Sequence, residues 1–413
     1  MSNLLEKIKN FMTSKKFMVV LMFAGLFLLV TGISLAAFTY FNKNSVGPST
    51  GASPTPQSRV DLSLPKTEAC PINGAMFNTE EKAIWEKRRP LAAMVENHVD
   101  SRPQSGLSKA DMIYEAVAEG GITRFLAVYY CAASAAEVRI GPVRSARVHF
   151  INWAVEFGGT PLFLHVGEAN NICNNCPGGV KTYGTIDPRV DALKLLEKIG
   201  WSNGTVGNDM NGETNLGYPA IKRDPERIPG AAYEHTVMGF TDEIFDAGVK
   251  RGFAYNDSQG VAWNKTFVPW TFVDGKIVNS PNATDINIEF VPGMADYKVE
   301  WKFDSANNQY LRFNGGKPHI DMDTQKQLTA KNVVIQYAKM QDLVDKEYHV
   351  LYTVVGTGKA LVFQNGTYIA GTWSKDDLTA RTKFFDNTGK EISLVRGVSW
   401  IEVVPTTGTV NYQ

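Results

Sequence analysis

The sequence lacks an excess of either charge, because 42 lysines and arginines are matched by 42 aspartates and glutamates among 413 residues. A protein that binds nucleic acid usually carries a basic excess on a domain or a tail. We therefore predict no nucleic-acid partner for this chain.

Signatures of several enzyme classes are also missing. The sequence contains no GxSxG elbow, no HExxH, no P-loop and no Cys–His pattern of a cysteine transpeptidase. Glycan hydrolysis needs two carboxyl groups, one of them with a raised pKa, and no spacing singles out a pair among Glu96, Glu115, Glu119 and Glu168. We predict no cofactor and no metal, and we favour a protein that is not an enzyme, with a cell-wall hydrolase or lyase as the alternative.

One long apolar run stands out, FMVVLMFAGLFLLVTGISLAAFTYF at residues 17–41, which carries no charge and is long enough to span a bilayer as a helix. Lysines are frequent between residues 7 and 16, and only Lys43 follows the run closely, which places the N-terminus in the cytoplasm. We predict a single-pass anchor at 17–41 behind a cytoplasmic tail at 1–16, with the folded part outside the cell. A signal peptide cleaved near Ser34-Leu35-Ala36 is the alternative.

An extracytoplasmic location permits disulfides. Cys173 and Cys176 lie in the loop sequence NNICNNCPGG, so we predict that they form a local disulfide. Half of a zinc site or a redox pair is the alternative. The pairing of Cys70 and Cys131 is left open.

The rest of the chain predicts an α+β fold. A flexible Ser/Pro/Gly-rich linker at 42–68 leads to a mixed α/β domain at 69–255 and a smaller, mainly β domain at 256–413 that resembles a sandwich or barrel. Asn365-Gly366 between two apolar runs predicts a hairpin. Predicted helices are 142–157, 191–199 and 241–250, and predicted strands of the first domain are 89–97, 111–119, 123–131 and 160–168.

Several motifs occur in order along the chain: RPLAAMVENHVDSRPQSGLSKADMIYEAVAEGGITRFLAVYY, GPVRSARVHFINWA, LFLHVG, YEHTVMGF, then YLRFNGGKPHIDMDTQKQLTAKNVVI, TVVGTGKALVFQNGTYIAGTW and FFDNTGKEISL. With them the chain resembles the YerB-like family of bacterial cell-envelope proteins over nearly everything after residue 85. The resemblance implies two domains of unknown function and a membrane-tethered, extracytoplasmic protein. Members of this family are often lipoproteins, and some are linked to penicillin-binding proteins. This chain departs from that pattern, since no lipid-accepting cysteine follows its apolar run.

Two arginines in GPVRSARVHF present an electrostatic problem. A helix that begins near Pro142 places Arg144 and Arg147 on one face at the helix N-terminus, where the macrodipole disfavours each cation by ~0.3–1 kcal/mol. We therefore expect an anion to compensate the positive charges of Arg144 and Arg147. It is either an internal carboxylate, Glu115 or Glu119, or a ligand carboxylate or phosphate from the cell wall.

The candidate site residues follow from these patterns. Predicted ligand-binding residues are Arg102, Gln104, Ser105, Arg124, Arg144, Ser145 and Arg147. For the enzyme alternative the candidates are Glu115, Glu119, His165 and Glu168. Arg312, His319 and Asp321 are the candidates in the second domain. The leading prediction is a membrane-anchored, non-enzymatic binding or scaffolding factor that contacts peptidoglycan or penicillin-binding proteins, and a binding protein for a small anionic ligand is a further alternative.

Overall fold

The computed structural model describes residues 57–173, 175–182, 184–202 and 207–413. The predicted anchor at 17–41 lies outside these residues, as does the linker up to residue 56. Within the described ranges, no helix combines the length and the hydropathy that crossing a membrane requires.

Helices are short and few in the described part of the chain. They are α1 (Thr79–Trp85), α2 (Val148–Ala154), α3 (Ala192–Lys198) and α4 (Thr241–Lys250). Asp191 caps α3 by accepting a hydrogen bond from the N–H of Lys194, and α4 has the predicted bounds. A chain that is mainly β with a few helices agrees with the predicted α+β class.

Strands make up most of the regular structure. In chain order they are β1 (Glu68–Ala69), β2 (Met76–Phe77), β3 (Leu91–Glu96), β4 (Met112–Glu119), β5 (Ile122–Tyr129), β6 (Arg139–Ile140), β7 (Leu162–His165), β8 (Asp209–Asn211), β9 (Ile221–Arg223), β10 (Val237–Phe240), β11 (Phe272–Val273), β12 (Asp285–Glu289), β13 (Val299–Asp304), β14 (Gln309–Asn314), β15 (Lys317–Pro318), β16 (Thr329–Ala330), β17 (Asn332–Ala338), β18 (Met340–Gln341), β19 (Leu351–Tyr352), β20 (Gly356–Gln364), β21 (Thr367–Lys375), β22 (Lys383–Asp386), β23 (Leu394–Val395), β24 (Ser399–Pro405) and β25 (Thr409–Tyr412).

The largest sheet has ten strands in the order β22-β21-β20-β17-β24-β4-β5-β3-β7-β8. Every residue of β3 and of β24 is buried, so neither strand shows the apolar/polar alternation of a strand with one face in solvent. Parallel pairing joins β24 to both β17 and β4. Strands from both halves of the sequence therefore share one sheet, and the predicted domain boundary at residues 255 and 256 stays a prediction.

A second, antiparallel sheet of six strands contains β15-β14-β13-β12-β25, with β16 paired to β14. The two sheets contact each other through tryptophans, since the rings of Trp301 and Trp400 lie 5.3 Å apart in an edge-on arrangement. Helix α2 covers another part of the large sheet, where Trp153 stacks on Tyr114 at 5.6 Å. These large rings supply the apolar area that holds the sheets and the helix together.

Two local predictions concern turns and cysteines. Asn365 and Gly366 have φ angles of 57° and 71°, as a two-residue turn between β20 and β21 requires. The hairpin is thereby confirmed. Cys173 pairs with Cys176 as predicted, and Cys70 pairs with Cys131 across 61 residues.

Candidate functional site

The segment that carries the two arginines is extended, and α2 begins only at Val148. The prediction of a helix from Pro142 is therefore wrong over its first turns. The backbone of the segment pairs with strands instead, because Val143 N–H donates to Val237 O at 2.8 Å and Arg144 N–H donates to Met94 O at 3.0 Å. These hydrogen bonds to β10 and β3 satisfy backbone N–H groups that would otherwise be paired within a helix.

Arg147 and Arg124 share one carboxylate. Arg147 Nε lies 3.0 Å from Glu119 Oε2, and Arg124 Nη2 lies 2.5 Å from Glu119 Oε1. Arg124 Nη1 also donates to the carbonyl oxygen of Ser145 at 2.7 Å. Glu119, one of the two internal acceptors considered above, is thus the anion that compensates Arg147.

Two effects set the ionisation of Glu119. Burial on its own would raise the pKa of this carboxyl, but the charges of Arg124 and Arg147 outweigh burial and lower the pKa from 4.5 to about 2. Glu119 is therefore ionised at any physiological pH. It is unsuited to the role of general acid, which requires a raised pKa.

This lowered pKa predicts an acid-dependent loss of stability. The folded-state pKa lies below the ordinary value, so the stabilisation is present above about pH 4.5 and is lost as pH falls toward 2. The shift corresponds to ~3 kcal/mol. Glu119→Gln should lower the free energy of unfolding by about that amount at pH 7 and by much less at pH 2 to 3, as measured by urea unfolding across a pH series.

The exposed Glu226 provides the matched control. Glu226→Gln should follow the wild-type dependence of stability on pH. Suppose that the free energy of unfolding of Glu119→Gln changed with pH as steeply as that of the wild type between pH 5 and pH 2. The two arginines would then not stabilise the ionised carboxylate of Glu119 in the folded state.

Arg144 has a different environment. Its Nε donates to Glu96 Oε1 at 3.0 Å, and Glu96 Oε2 accepts from His235 Nδ1 at 2.8 Å. The Arg144 side chain is 30% exposed, against 12% for Arg147. No described residue accepts a hydrogen bond from either Nη atom of Arg144, so one edge of this guanidinium is open.

The open edge faces a polar cleft of about 320 Å³, which we name the Arg144 cleft. Side chains of both charges line it, among them Glu96, Glu119, Arg124, Arg144, His98 and His235. The free donors of Arg144 suit a planar, bidentate acceptor such as a carboxylate or a phosphate. The free donors of Arg144 can therefore bind an anionic group, although four carboxylates, Glu96, Asp100, Glu119 and Glu234, also line the cleft.

A second group of predicted residues lies in the interior. Arg312 donates to Glu115 Oε2 at 2.5 Å, to Glu402 Oε1 at 2.8 Å and to His319 Nδ1 at 2.9 Å. His319 Nε2 in turn lies 2.7 Å from Gln104 Oε1. Because the side chains of Arg312, Glu115 and Glu402 are fully buried, this network is structural and is not a place where a ligand enters.

The pKa values of two groups in this network are strongly shifted, and both shifts favour the uncharged form. Burial and the neighbouring charge of Glu115 raise the pKa of Glu402 well above its ordinary value. Burial and the charge of Arg312 lower the pKa of His319 well below its ordinary value. Arg312 therefore contacts a protonated carboxyl, Glu402, and an uncharged imidazole, His319, and its third side-chain partner is the carboxyl of Glu115.

The predicted loop residues bind other parts of the fold. Arg102 Nη1 donates to Asp296 O at 2.7 Å, and Ser105 Oγ donates to Asp323 Oδ1 at 3.2 Å. Asp321 Oδ2 accepts from the N–H of Ser108 at 2.9 Å. The contact of Arg102 ties the loop after β3 to the segment before β13, and the other two tie it to the segment after β15. They use polar groups that we predicted to bind a ligand.

His165 and Glu168 also lie away from the Arg144 cleft. His165 is fully buried, with Nε2 at 2.5 Å from Asp209 Oδ1 and Nδ1 at 2.8 Å from Gly167 O. Burial lowers the pKa of His165, but the bonds to Asp209 and Gly167 outweigh burial and raise it. Burial raises the pKa of Glu168, whose Oε2 accepts from Asn211 Nδ2 at 2.9 Å. With both nitrogens of its ring hydrogen-bonded, His165 has no free position for a substrate.

Sequence reasoning missed several residues of the Arg144 cleft, among them His98, Asp100 and His235. All three lie in stretches that carry the family resemblance, VENHVD and YEHTVMGF. The chain has only six histidines, and two of them next to acidic residues were a signal that was available.

Comparison with known proteins gives matches over both halves of the chain. Residues 76–181 match the model "Protein of unknown function (DUF3048) N-terminal domain", and residues 287–401 match the corresponding C-terminal domain. The chain is 28% identical over 335 residues to "Putative lipoprotein YerB" of Bacillus subtilis (strain 168), covering 81% of this chain and 86% of that protein. The crystal structure of YerB protein from Bacillus subtilis superposes with a TM-score of 0.62 at 25% identity, over 84% of this chain and 100% of that chain.

Proposed function

Because this chain belongs to the family of proteins of unknown function with paired DUF3048 N-terminal and C-terminal domains, we propose that it is a membrane-anchored, extracytoplasmic protein of the cell envelope that binds an anionic group of the cell wall without catalysing a reaction. The observation that carries this proposal is the open guanidinium edge of Arg144 in a polar cleft. Peptidoglycan carboxylates and wall-polymer phosphates are the acceptors that this geometry suits.

The location rests on two observations. The uncharged run at 17–41 has the length of a bilayer span, and the relative from Bacillus subtilis is named as a lipoprotein. We propose that residues 17–41 form the anchor and that the folded part lies outside the cell. The two family matches fall on either side of residue 255, which supports the division into domains at 69–255 and 256–413.

The ionisation of Glu119 favours binding over wall hydrolysis. A glycan hydrolase holds one carboxyl protonated next to a second that is ionised, whereas Arg124 and Arg147 keep the pKa of Glu119 at about 2. Among the described residues, the carboxyl groups with raised pKa all lie outside the Arg144 cleft: Asp111, Glu137, Glu168 and Glu402.

The test is sedimentation of the full chain, in mild detergent, with isolated and protein-stripped wall sacculi. We expect the wild type to sediment with the sacculi and Arg144→Ala to bind at least tenfold more weakly, because a hydrogen bond to a charged group contributes about 1.5–3 kcal/mol. Added salt should reduce retention of the wild type, since the contact is partly exposed.

Arg189→Ala is the matched control. Arg189 is half-exposed and pairs with Asp187 at 2.7 Å, outside the Arg144 cleft, so its loss should leave retention unchanged. Equal retention of the wild type and Arg144→Ala, or none for the wild type, would overturn the assigned role. Binding of free acidic sugars or phosphates with no retention on sacculi would instead indicate a small-ligand protein.

A further inference from the structure

We propose that His98, Asp100 and His235 form a binding site for Zn²⁺ in the wall of the Arg144 cleft. One potential ligand atom from each of these residues lies within 4.8 Å of the other two. The sequence predicted no metal, because His235 is distant in sequence from His98 and Asp100 and only the fold brings it to them.

Two short 3₁₀ turns position the donors. His98 precedes the turn Val99–Ser101, and Asp100 lies within it, with Asp100 Oδ2 at 3.6 Å from His98 Nδ1. His235 ends the turn Tyr233–His235, directly before β10. Because both turns are fixed at the ends of sheet strands, the approach of the three side chains results from the fold and not from a mobile loop.

The surroundings of His235 orient one of its nitrogens as a ligand. Its Nδ1 lies 2.8 Å from Glu96 Oε2, and the other oxygen of Glu96 accepts from Arg144. A carboxylate accepts hydrogen bonds, so the proton of the neutral imidazole resides on Nδ1 and the lone pair on Nε2. No described residue is hydrogen-bonded to Nε2. A carboxylate that fixes the tautomer of a histidine in this way is the usual outer partner of a zinc ligand.

The side chains differ in exposure, so one ligand is held in place by its surroundings and the other two can change conformation. The side chain of His235 is 7% exposed, whereas those of His98 and Asp100 are 32% and 69% exposed. The two imidazole rings are stacked, with centroids 4.9 Å apart and planes 13° apart. Since the lone pair of an imidazole lies in the plane of its ring, metal binding requires His98 to rotate out of the stack, which its exposure permits.

The donor set specifies the kind of ion. Two imidazoles and one carboxylate are nitrogen and oxygen ligands that suit Zn²⁺ better than Ca²⁺ or Mg²⁺. Three protein ligands leave the fourth position of a tetrahedral site open. That position would face a cleft in which Arg144 has free donors, and Glu96, Asp100 and Glu234 supply negative charge nearby.

The experiment is calorimetric titration of the full chain in detergent with Zn²⁺ alone, so that its result does not depend on any wall ligand. We expect one ion per chain, and at least tenfold weaker binding in His98→Ala and in Asp100→Asn. Glu96→Gln should weaken binding by 10- to 100-fold, as loss of an outer partner does. Co²⁺ in place of Zn²⁺ should give visible absorption bands of a low-coordinate site in the wild type and lose them in His98→Ala.

Asp274→Asn is the matched control, because Asp274 is a strongly exposed carboxylate that pairs with Arg396 away from the cleft. This variant should bind Zn²⁺ as the wild type does. His98 and Asp100 are partly exposed, so their variants should also unfold at the wild-type temperature, which shows that any loss of binding is local. The absence of binding to the wild type, or binding that persists unchanged in both His98→Ala and Asp100→Asn, overturns the site.

Discussion

Replacing Arg312 by methionine should lower the free energy of unfolding by about 3–5 kcal/mol, the cost of removing one partner from a buried ion pair. The substitution removes the cation from the fully buried Glu115 carboxyl, whose remaining partners are Thr123 Oγ1 at 2.6 Å and Asn97 Nδ2 at 3.3 Å. It also removes the guanidinium that lies 4.2 Å from the ring centroid of Trp400. Urea or thermal unfolding of the full chain measures the loss.

Glu402→Gln provides the control within the same network. The raised pKa of Glu402 means that its carboxyl is already neutral, and a glutamine of the same shape can accept from Trp301 Nε1 and Arg312 Nη1 in its place. We expect the free energy of unfolding of this variant to fall by less than about 1 kcal/mol, since no charge is left unpaired. If Glu402→Gln were as destabilising as Arg312→Met, Glu402 would be ionised and its assigned protonation state would be wrong.

Removing the disulfide between Cys70 and Cys131 is the second change with a large expected effect. The Cys70–Cys131 disulfide joins residues that are 61 apart in sequence, whereas Cys173 and Cys176 are 3 apart. The loop-entropy relation gives about 4 kcal/mol for the longer loop and about 2 kcal/mol for the shorter one. The double variant Cys70→Ala/Cys131→Ala should therefore be destabilised by roughly twice as much as Cys173→Ala/Cys176→Ala.

Unfolding of the two double variants in urea without reductant, next to the wild type treated with reductant, measures this difference. The reduced wild type should be at least as unstable as Cys70→Ala/Cys131→Ala. Equal stability of the two double variants would show that closure of the long loop does not control the stability of the chain.

The sequence predicted most strongly those elements whose signals are local. The strand predicted at 89–97 forms β3, Asn365-Gly366 makes the hairpin turn, and the helix predicted at 191–199 forms α3. Each of these segments carries its signal in consecutive residues: an apolar stretch, a turn dipeptide, or a helical spacing of apolar residues. Agreement of local signals made these predictions succeed.

The helix predicted from Pro142 failed because its backbone partners are distant in sequence. Val143 pairs with Val237, and Arg144 pairs with Met94, and neither contact leaves a trace in the local pattern. The polar network shows the same limit, since Arg312 and Glu115 are 197 residues apart and His235 and Glu96 are 139 apart. Local periodicity carries no information on which of many charged residues pair over such separations.

The central claim is that Arg144 binds an anion of the cell wall. The most direct test is the dissociation constant of the full chain from isolated sacculi for the wild type, Arg144→Ala and Arg144→Lys. We expect binding by the wild type, binding at least tenfold weaker for Arg144→Ala, and partial recovery in Arg144→Lys, which restores the charge but not the bidentate geometry. The same dissociation constant for all three proteins would contradict it.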